Sequence, residues 1–210
     1  MTFAYRITPL NIDDAEYLWF LLRTIESQNW ERFWTAIHSD PNAFQLIALK
    51  VSISAELNGM TILHACARFN PPVQIAKVII DLFPESTRLV DCLNRTALHI
   101  AVGMRANLST IQLLVDAYPM ACAVLDTDGK IPLHLACDSA CELFKGDEGC
   151  ERDPPSYDVV SLLVRAWPSV VDREDNFGTS ALEYAILSEA PFKVIRFLQT
   201  VTAEKKKKLR

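Results

Sequence analysis

The chain has 210 residues, of which 50% are hydrophobic and 22% are charged, so it can bury a core and is not a disordered tract. Lys and Arg total 21 against 26 Asp and Glu, which gives a formal net charge of −5. Five of the basic residues lie within residues 205–210, so the rest of the chain is strongly acidic. This composition disfavours nucleic acid as the main partner, because binding it requires Lys and Arg facing the phosphates.

Composition also bears on the compartment. The longest apolar runs, such as residues 17–22, are far shorter than the roughly 20 residues that span a bilayer. Residues 1–10 lack the continuous apolar segment of a signal peptide. The six cysteines fall short of the density of a disulfide scaffold, and Cys66 and Cys137 lie within apolar helical patterns. We expect a cytoplasmic or nuclear protein with reduced thiols and no membrane insertion.

The first segment of the chain is predicted to be helical. Residues 13–26 and 29–38 both have the spacing of an amphipathic helix. Four large apolar side chains are expected on one face of the second helix: Trp30, Phe33, Trp34 and Ile37. Residues 43–54 alternate poorly, and no element is assigned to them. We interpret residues 1–55 as a divergent helical cap for the repeats that follow.

A seven-residue segment recurs four times in the remainder of the chain. The copies begin at Thr61, Thr96, Ile131 and Ser180. Each of the first three has a histidine at its fourth position, and these histidines are 35 residues apart: His64, His99 and His134. The fourth copy has Glu183 in this place, 49 residues further on. Prolines at 84, 119 and 168, each after an aromatic residue, recur in step, so the period is genuine.

Each period predicts a helix, a turn and a second helix. Residues 61–69 and 73–83 carry apolar residues at i, i+3 and i+4. Thr or Ser at the start of three copies can cap the first helix, and the proline ends the second. A polar stretch with residues that tolerate positive φ precedes each copy: Asn58-Gly59, Asn94, Gly129 and Gly178.

These segments resemble ankyrin repeats, whose pattern opens with a turn glycine followed by a Thr-Pro-Leu-His-like tetrad. The best match is residues 128–136, and the resemblance covers about residues 56–200 as four units. The period is 35 rather than the 33 of that family, Asn94 replaces one turn glycine, and Glu183 replaces the last histidine. The resemblance implies an all-α repeat solenoid, an ankyrin stack of helix-turn-helix units joined by β-turn or hairpin loops. It also implies that the tetrad histidines bridge backbone groups within and between units.

The spacing divides the chain into six parts. These are the cap 1–55, the repeats 56–90, 91–125, 126–174 and 175–204, and a basic tail 205–210. The third repeat holds 14 extra residues, which we place in a loop at about 139–156 between its two helices because the composition there is typical of a loop. No repeat is predicted after the fourth, so we expect three of its apolar residues to be uncovered: Val194, Ile195 and Leu198.

Catalysis is not expected. The chain has no nucleophile elbow, no phosphate-binding loop and no dinucleotide-binding glycine pattern, and its six glycines are widely spaced. Three of its four histidines belong to the repeated segment. We therefore expect no cofactor and no small-molecule substrate.

Two local features leave alternatives open. His134, Cys137 and Cys141 can share a helix face, and Cys150 could complete a zinc site or form a disulfide with Cys141. Against this site, His134 belongs to the tetrad and Cys137 takes a core position, so we expect no metal. The tail 205–210 could be a nuclear import signal, an anchor to acidic surfaces or a solvated helix end whose cations suit the helix dipole.

The resemblance places partner binding on the concave side, at the turn tips and the ends of the first helices. The positions carried over are Met60, Arg68, Asn70, Leu93, Arg95, Met104, Arg105, Asp128, Lys130, Asp138 and Phe177. The predicted partner is a protein or peptide, acidic or amphipathic in character, which would meet a basic stripe and three apolar anchors. The stripe comprises Arg68, Arg95, Arg105 and Lys130, and the anchors are Met60, Leu93 and Phe177.

The sequence thus favours a non-catalytic scaffold for protein–protein interaction. The alternative is a regulatory ankyrin segment of a larger enzyme, channel or transcription factor that acts in cis.

Overall fold

A computed structural model describes residues 10–53, 57–145 and 153–208 of the chain. The helices are α1 (Ile12–Glu26), α2 (Trp30–Ser39), α3 (Pro41–Ile53), α4 (Ile62–Arg68), α5 (Val73–Leu82), α6 (Ala97–Gly103), α7 (Leu108–Ala117), α8 (Pro132–Cys137), α9 (Tyr157–Ala166), α10 (Ala181–Leu187) and α11 (Phe192–Lys208). Within these ranges there is no strand beyond an isolated bridge between Glu174 and Ser180. The predicted all-α repeat stack is confirmed.

The repeated segment begins the first helices of the first and fourth repeats with a reciprocal cap. The Thr61 hydroxyl accepts a bond from the His64 backbone N–H at 3.3 Å, and His64 Nδ1 accepts one from the Thr61 N–H at 3.1 Å. Ser180 and Glu183 form the same arrangement, with the Ser180 N–H donating to the Glu183 carboxylate at 2.7 Å. Glu183 therefore preserves the local function of the tetrad histidine, because either side chain satisfies an N–H that the helix cannot.

Two of the tetrad histidines also link neighbouring repeats, as the resemblance implied, whereas the buried Nε2 of His99 has no hydrogen-bond partner among the described residues. His64 Nε2 donates to the Arg95 carbonyl at 2.9 Å, and His134 Nε2 donates to the Arg173 carbonyl at 2.9 Å. Burial lowers the pKa of His64 and of His99 to about 4, so both rings are neutral at pH 7. A neutral ring with an accepting Nδ1 and a donating Nε2 fits these bonds.

The repeats stack in two layers. Helices α4, α6, α8 and α10 pack in sequence as the inner layer, and α5, α7, α9 and α11 pack as the outer layer. An aromatic residue and then a proline follow each of α5, α7 and α9, and the proline begins a short 3-10 turn: Pro84–Thr87, Pro119–Ala123 and Pro168–Val170. One apolar core runs through the stack from Leu18 to Leu198.

The C-terminal repeat is better covered than the sequence suggested. Val194 and Leu198 are fully buried, because α11 packs against α9 and α10 and directs them into the core. The expectation that they are uncovered is therefore wrong. Apart from Phe177 in the turn before α10, the exposed large apolar residues of this repeat lie around the turn between α10 and α11: Ile186, Leu187 and Phe192.

The N-terminal segment contains three helices rather than the two predicted. The unassigned stretch forms α3, whose Lys50 makes a buried ion pair with Asp14 of α1. Helix α1 packs against α4, which agrees with the expected cap, although the boundary at residue 55 stays a prediction. Trp34 stacks on His38 and is partly exposed, so it does not share the buried face of Phe33, contrary to expectation.

Candidate functional site

The turns between repeats are held by aspartates that the sequence analysis did not single out. Asp91 Oδ1 accepts bonds from the Leu93 and Arg95 N–H groups, both at 2.9 Å. Asp126 and Asp175 accept from the corresponding N–H groups of their own turns at 2.8–2.9 Å. Because each carboxylate satisfies two amides of a tight turn, it fixes the conformation of the turn tip. These aspartates are 35 and 49 residues apart, as the histidine tetrads are, so the sequence contained the signal.

Backbone hydrogen bonds join each turn to the next. The Cys92 N–H donates to the Asn58 carbonyl at 2.8 Å, the Thr127 N–H to the Leu93 carbonyl at 3.0 Å, and the Asn176 N–H to the Asp128 carbonyl at 2.9 Å. The residues predicted to need positive φ have it: Asn58, Gly59, Asn94, Gly129 and Gly178. The tips therefore form one continuous row along the stack, which we call the tip row (residues 58–60, 93–95, 128–130 and 177–179).

The side chains at the tips differ in exposure. Phe177 is 72% exposed and Leu93 is 43% exposed, whereas Met60 is half-buried. Asp128 is exposed between the two. The row thus presents two solvent-facing apolar side chains on a backbone that is fixed at every turn.

Arg95 is not part of an exposed basic stripe, which corrects the expectation for this residue. Its side chain is 7% exposed, and its Nε and Nη2 atoms donate to Asp91 Oδ2 at 2.8 and 2.7 Å. Its Nη1 atom donates to the Leu143 carbonyl at 2.5 Å. The guanidinium is drawn inward because Asp91, the turn aspartate, lies four residues before it.

Arg105 is also turned toward the protein. It follows α6 with a φ of +58°, and its guanidinium reaches the end of α8. There it donates to the Leu135 carbonyl at 2.9 Å and the Asp138 carbonyl at 3.0 Å, and its Nε donates to the Asp153 carbonyl at 3.1 Å. Arg105 thus satisfies carbonyls at the C-terminal end of α8 and holds both ends of the insertion together.

The other two members of the predicted stripe have partners as well. The Arg68 guanidinium lies 4.0 Å from the centroid of the Phe144 ring. Lys130 Nζ is 3.2 Å from Asp138 Oδ2 and 4.7 Å from the centroid of the Tyr184 ring. Burial alone would lower the pKa of Lys130, but the Asp138 carboxylate raises it above the usual value, so this amine stays charged.

The three remaining predicted positions lie near the ends of the inner helices. Asp138 is buried, Met104 is half-buried, and Asn70 is exposed. Asn70 has a φ of +50°, and its side-chain oxygen accepts a bond from the Asn107 N–H at 2.9 Å, which fixes the end of one repeat to the next. Six of the eleven positions lie in the tip row, and two of them, Arg95 and Lys130, are held in ion pairs with aspartates. The other four are at least partly accessible: Met60, Leu93, Asp128 and Phe177.

The insertion in the third repeat contacts the last residues of α4 and α6, on the side to which the resemblance assigns partner binding. Helix α8 ends at Cys137 and α9 begins at Tyr157. The bounds of the inserted loop, about 139–156, stay a prediction, since its residues 146–152 lie outside the described ranges. Leu143 is buried against Gly103, where an added Cβ would clash with its Cδ1 atom. Phe144 contacts two guanidinium groups, since that of Arg95 lies 5.0 Å from the centroid of its ring in addition to that of Arg68. Three of the predicted basic residues therefore contact the chain's own insertion.

The geometry does not suit the zinc alternative. His134 Nδ1 accepts a bond from the Ile131 N–H at 3.0 Å, and its Nε2 donates to the Arg173 carbonyl, so both ring nitrogens are engaged. Cys137 is fully buried at the end of α8, where it belongs to the apolar core, and burial raises the pKa of its thiol to about 12. No metal-binding group of three such side chains exists among the residues described. Cys150, and with it the disulfide alternative, lies outside them.

The basic tail continues the last helix. Helix α11 extends to Lys208, and Lys205 pairs with Asp172 and donates to the Ser169 carbonyl at 2.6 Å. This placement suits the helix-end interpretation, since cations in the last turn complement the helix dipole. A role in nuclear import stays a prediction.

Comparison with known families agrees with this architecture. The family model for ankyrin repeats, in three copies, matches residues 63–151. None of the curated proteins matches the chain. Among the helices described above, none is both long and apolar enough to traverse a bilayer.

Proposed function

Because this chain contains ankyrin repeats, which generally mediate protein–protein interactions, we propose that it is a non-catalytic scaffold that binds a protein or peptide on its concave side. The tip row supports this proposal most directly. It presents Phe177 and Leu93 to solvent on turns that are linked by backbone bonds from repeat to repeat. Exposed apolar groups that are already ordered lose little entropy on binding, which is what a recognition surface requires.

The surroundings of Phe177 support its role as an apolar anchor. An added Cβ at the neighbouring Gly178 would meet no atom within 4 Å, so the tip projects away from the rest of the repeat. The next tip residue toward the N-terminus, Asp128, is exposed and acidic, and Leu93 follows it. A partner segment that is apolar at both ends and carries a polar or basic group between them fits this order.

The proposed binding surface is narrower than the sequence alone suggested. It retains the four tip positions, together with Arg68, Asn70 and Met104 at the ends of inner helices. Four of the predicted residues affect the binding surface indirectly, because they hold the insertion and the turns in place: Arg95, Arg105, Lys130 and Asp138. The attraction of an acidic partner to a basic stripe is correspondingly weaker.

The test is affinity capture from native extract with matched surface variants. Phe177→Asp changes the tip row, and Phe192→Asp changes a phenylalanine of equal exposure, 72% against 73%, at the start of α11. We expect Phe177→Asp to lose the captured protein and Phe192→Asp to retain it. Retention by both variants would exclude the tip at Phe177 as part of the binding surface.

One observation favours the second candidate, a regulatory segment that acts in cis. Ile186, Leu187 and Phe192 are 51%, 76% and 73% exposed around a single turn, which is a large apolar area to leave in water. A further segment of the same polypeptide that covered this turn would bury it. Loss of the captured protein with Phe192→Asp, but not with Phe177→Asp, would support this alternative instead.

A further inference from the structure

The chain's own insertion lies on the concave face in the manner of a bound peptide. Cys141 and Leu143 are buried while Glu142 between them is exposed, which is the alternation of an extended segment lying on a surface. Phe144 follows and is half-buried. We call residues 141–145 the tethered segment.

The surface beneath the tethered segment has three distinct contacts. Leu143 packs against Gly103, where an added Cβ would clash with the Cδ1 atom of the leucine. Only glycine at position 103 therefore leaves room for this leucine. Arg95, which forms an ion pair with Asp91, donates from Nη1 to the main-chain carbonyl of Leu143. Arg68 covers the face of the Phe144 ring at 4.0 Å, within the range of a cation–π contact. We call Gly103, Arg95 and Arg68 the arginine groove.

Gly103 thus contacts a leucine side chain, Arg95 binds a main-chain carbonyl, and Arg68 contacts an aromatic ring. Contacts of these three kinds along a segment are typical of a surface that binds a short extended peptide. We propose that the arginine groove is a binding site for a leucine followed by an aromatic residue, and that the tethered segment occupies it as an internal ligand. A protein partner that carries the same pair displaces the segment. This inference rests on the proposed function, because the groove forms part of the same concave face.

The charge of Arg68 also predicts which type of residue lies next to the leucine–aromatic pair in the partner. Arg68 makes no ion pair with any residue that the structure describes, and its guanidinium contacts the rings of Phe69 and Phe144 at 5.5 and 4.0 Å from their centroids. A carboxylate next to the aromatic residue of the partner therefore gains an attraction that Lys145 of the tethered segment does not provide. The partner sequence is thus an acidic peptide with a leucine–aromatic pair, and it has an advantage over the internal copy.

Tethering sets the strength of the competition. A segment joined to its site by a short linker has an effective concentration of about 1 mM, so a free peptide meets a groove that is mostly filled. The apparent affinity for a free peptide equals the intrinsic affinity of the groove multiplied by the fraction of grooves that are empty. Emptying the groove should therefore raise the affinity for a free peptide at least tenfold.

The experiment uses the full chain and a fluorescent synthetic peptide that copies residues 139–145 with serine in place of Cys141. Peptide binding is measured by anisotropy to the wild-type chain and to Leu143→Ser/Phe144→Ser. We expect at least tenfold tighter binding to the double variant. A peptide with serine at both the leucine and phenylalanine positions is the control and should bind neither chain, and adding Arg68→Ala to the double variant should remove the gain.

A second measurement needs no variant in the segment. In the wild-type chain the rate at which iodoacetamide alkylates the buried Cys141, followed by mass spectrometry, should rise when the peptide is added and stay unchanged with the control peptide. Equal peptide affinities for the wild type and the folded double variant, together with an unchanged alkylation rate, would overturn the proposal.

The two proposals fail in different ways. If the peptide does not bind the emptied groove while capture still depends on Phe177, the internal-ligand proposal is wrong and the proposed function stands. If the peptide binds the emptied groove but neither chain captures a partner through Phe177, the groove is a genuine site and the tip row is not.

Discussion

Acid should destabilise the repeat stack through its tetrad histidines. His64 and His99 are fully buried, and burial lowers the pKa of each to about 4 from an unfolded value near 6.5. Between these values the unfolded chain binds more protons than the folded chain. The stability associated with the neutral rings is therefore complete above about pH 6.5 and is lost as the pH falls toward about 4.

The size of this loss follows from the same values. At pH 5, about 1.5 pH units below the unfolded pKa, each of these histidines lowers the free energy of unfolding by about 2 kcal/mol. The two together account for about 4 kcal/mol, a large part of the roughly 5–15 kcal/mol of a typical domain. The pKa of His134 is lowered by burial as well, so it acts in the same direction. Carboxylates with a lowered pKa, such as Asp175, lose their contribution only below about pH 4.

The assay is urea unfolding followed by far-UV circular dichroism at pH 7 and pH 5. The double variant His64→Gln/His99→Gln should be less stable than the wild type at pH 7, because it loses the ring contacts between repeats. Its further loss on going to pH 5 should be about 4 kcal/mol smaller than that of the wild type. His38→Gln changes an exposed ring outside the tetrads and should keep the full pH dependence. A double variant with the wild-type pH dependence would refute the assignment of acid sensitivity to these two rings.

Three further substitutions test the turns and the insertion, each by the change in urea unfolding. Gly129→Ala should lower the free energy of unfolding more than Gly178→Ala. Both glycines have a φ of +76°, which costs an alanine about 1–2 kcal/mol, but only at Gly129 would the Cβ also lie 2.9 Å from a backbone nitrogen of the next turn. Asp91→Asn should cost about 3 kcal/mol, since it leaves Arg95 buried without its counter-charge. Arg105→Lys should cost about 1–3 kcal/mol, because an ammonium cannot reach carbonyls at both ends of the insertion. Equal effects at the two glycines, or a loss below about 0.5 kcal/mol at Asp91 or Arg105, would contradict these assignments.

The sequence predicted the repeat stack because the relevant physics is local. A capping residue, a histidine three positions on and a helix-ending proline act within one repeat, so their 35-residue spacing is visible in the chain itself. Helix α3 was missed although its buried residues, Phe44, Ile47, Ala48 and Val51, have the i, i+3, i+4, i+7 spacing of a helix face. Apolar residues on its other faces, such as the exposed Leu46, masked that pattern.

The functional assignment of the arginines could be predicted less well. That Arg95 pairs with Asp91 was predictable in part, because the two are four residues apart and the aspartate recurs with the repeat. That Arg95 also binds Leu143 was not, because the contact spans 48 residues and ends in a segment outside the repeat period. Contacts of a loop that breaks the period have no counterpart in the other repeats, so no spacing in the sequence reports them.

The insertion interrupts the repeat pattern without interrupting the stack, and Arg105 explains how. Lengthening the connection from 4 residues, as between α6 and α7, to 19 residues between α8 and α9 costs about 1.4 kcal/mol of loop-closure entropy. Hydrogen bonds to a charged donor contribute about 1.5–3 kcal/mol each, and Arg105 makes them to carbonyls at both ends of the insertion. These bonds more than offset the entropy, so α8 and α9 keep their places in the two layers. Between these ends, Leu143 belongs to the apolar core and Phe144 contacts the guanidinium groups of Arg68 and Arg95, and we propose that both residues occupy the arginine groove as an internal ligand.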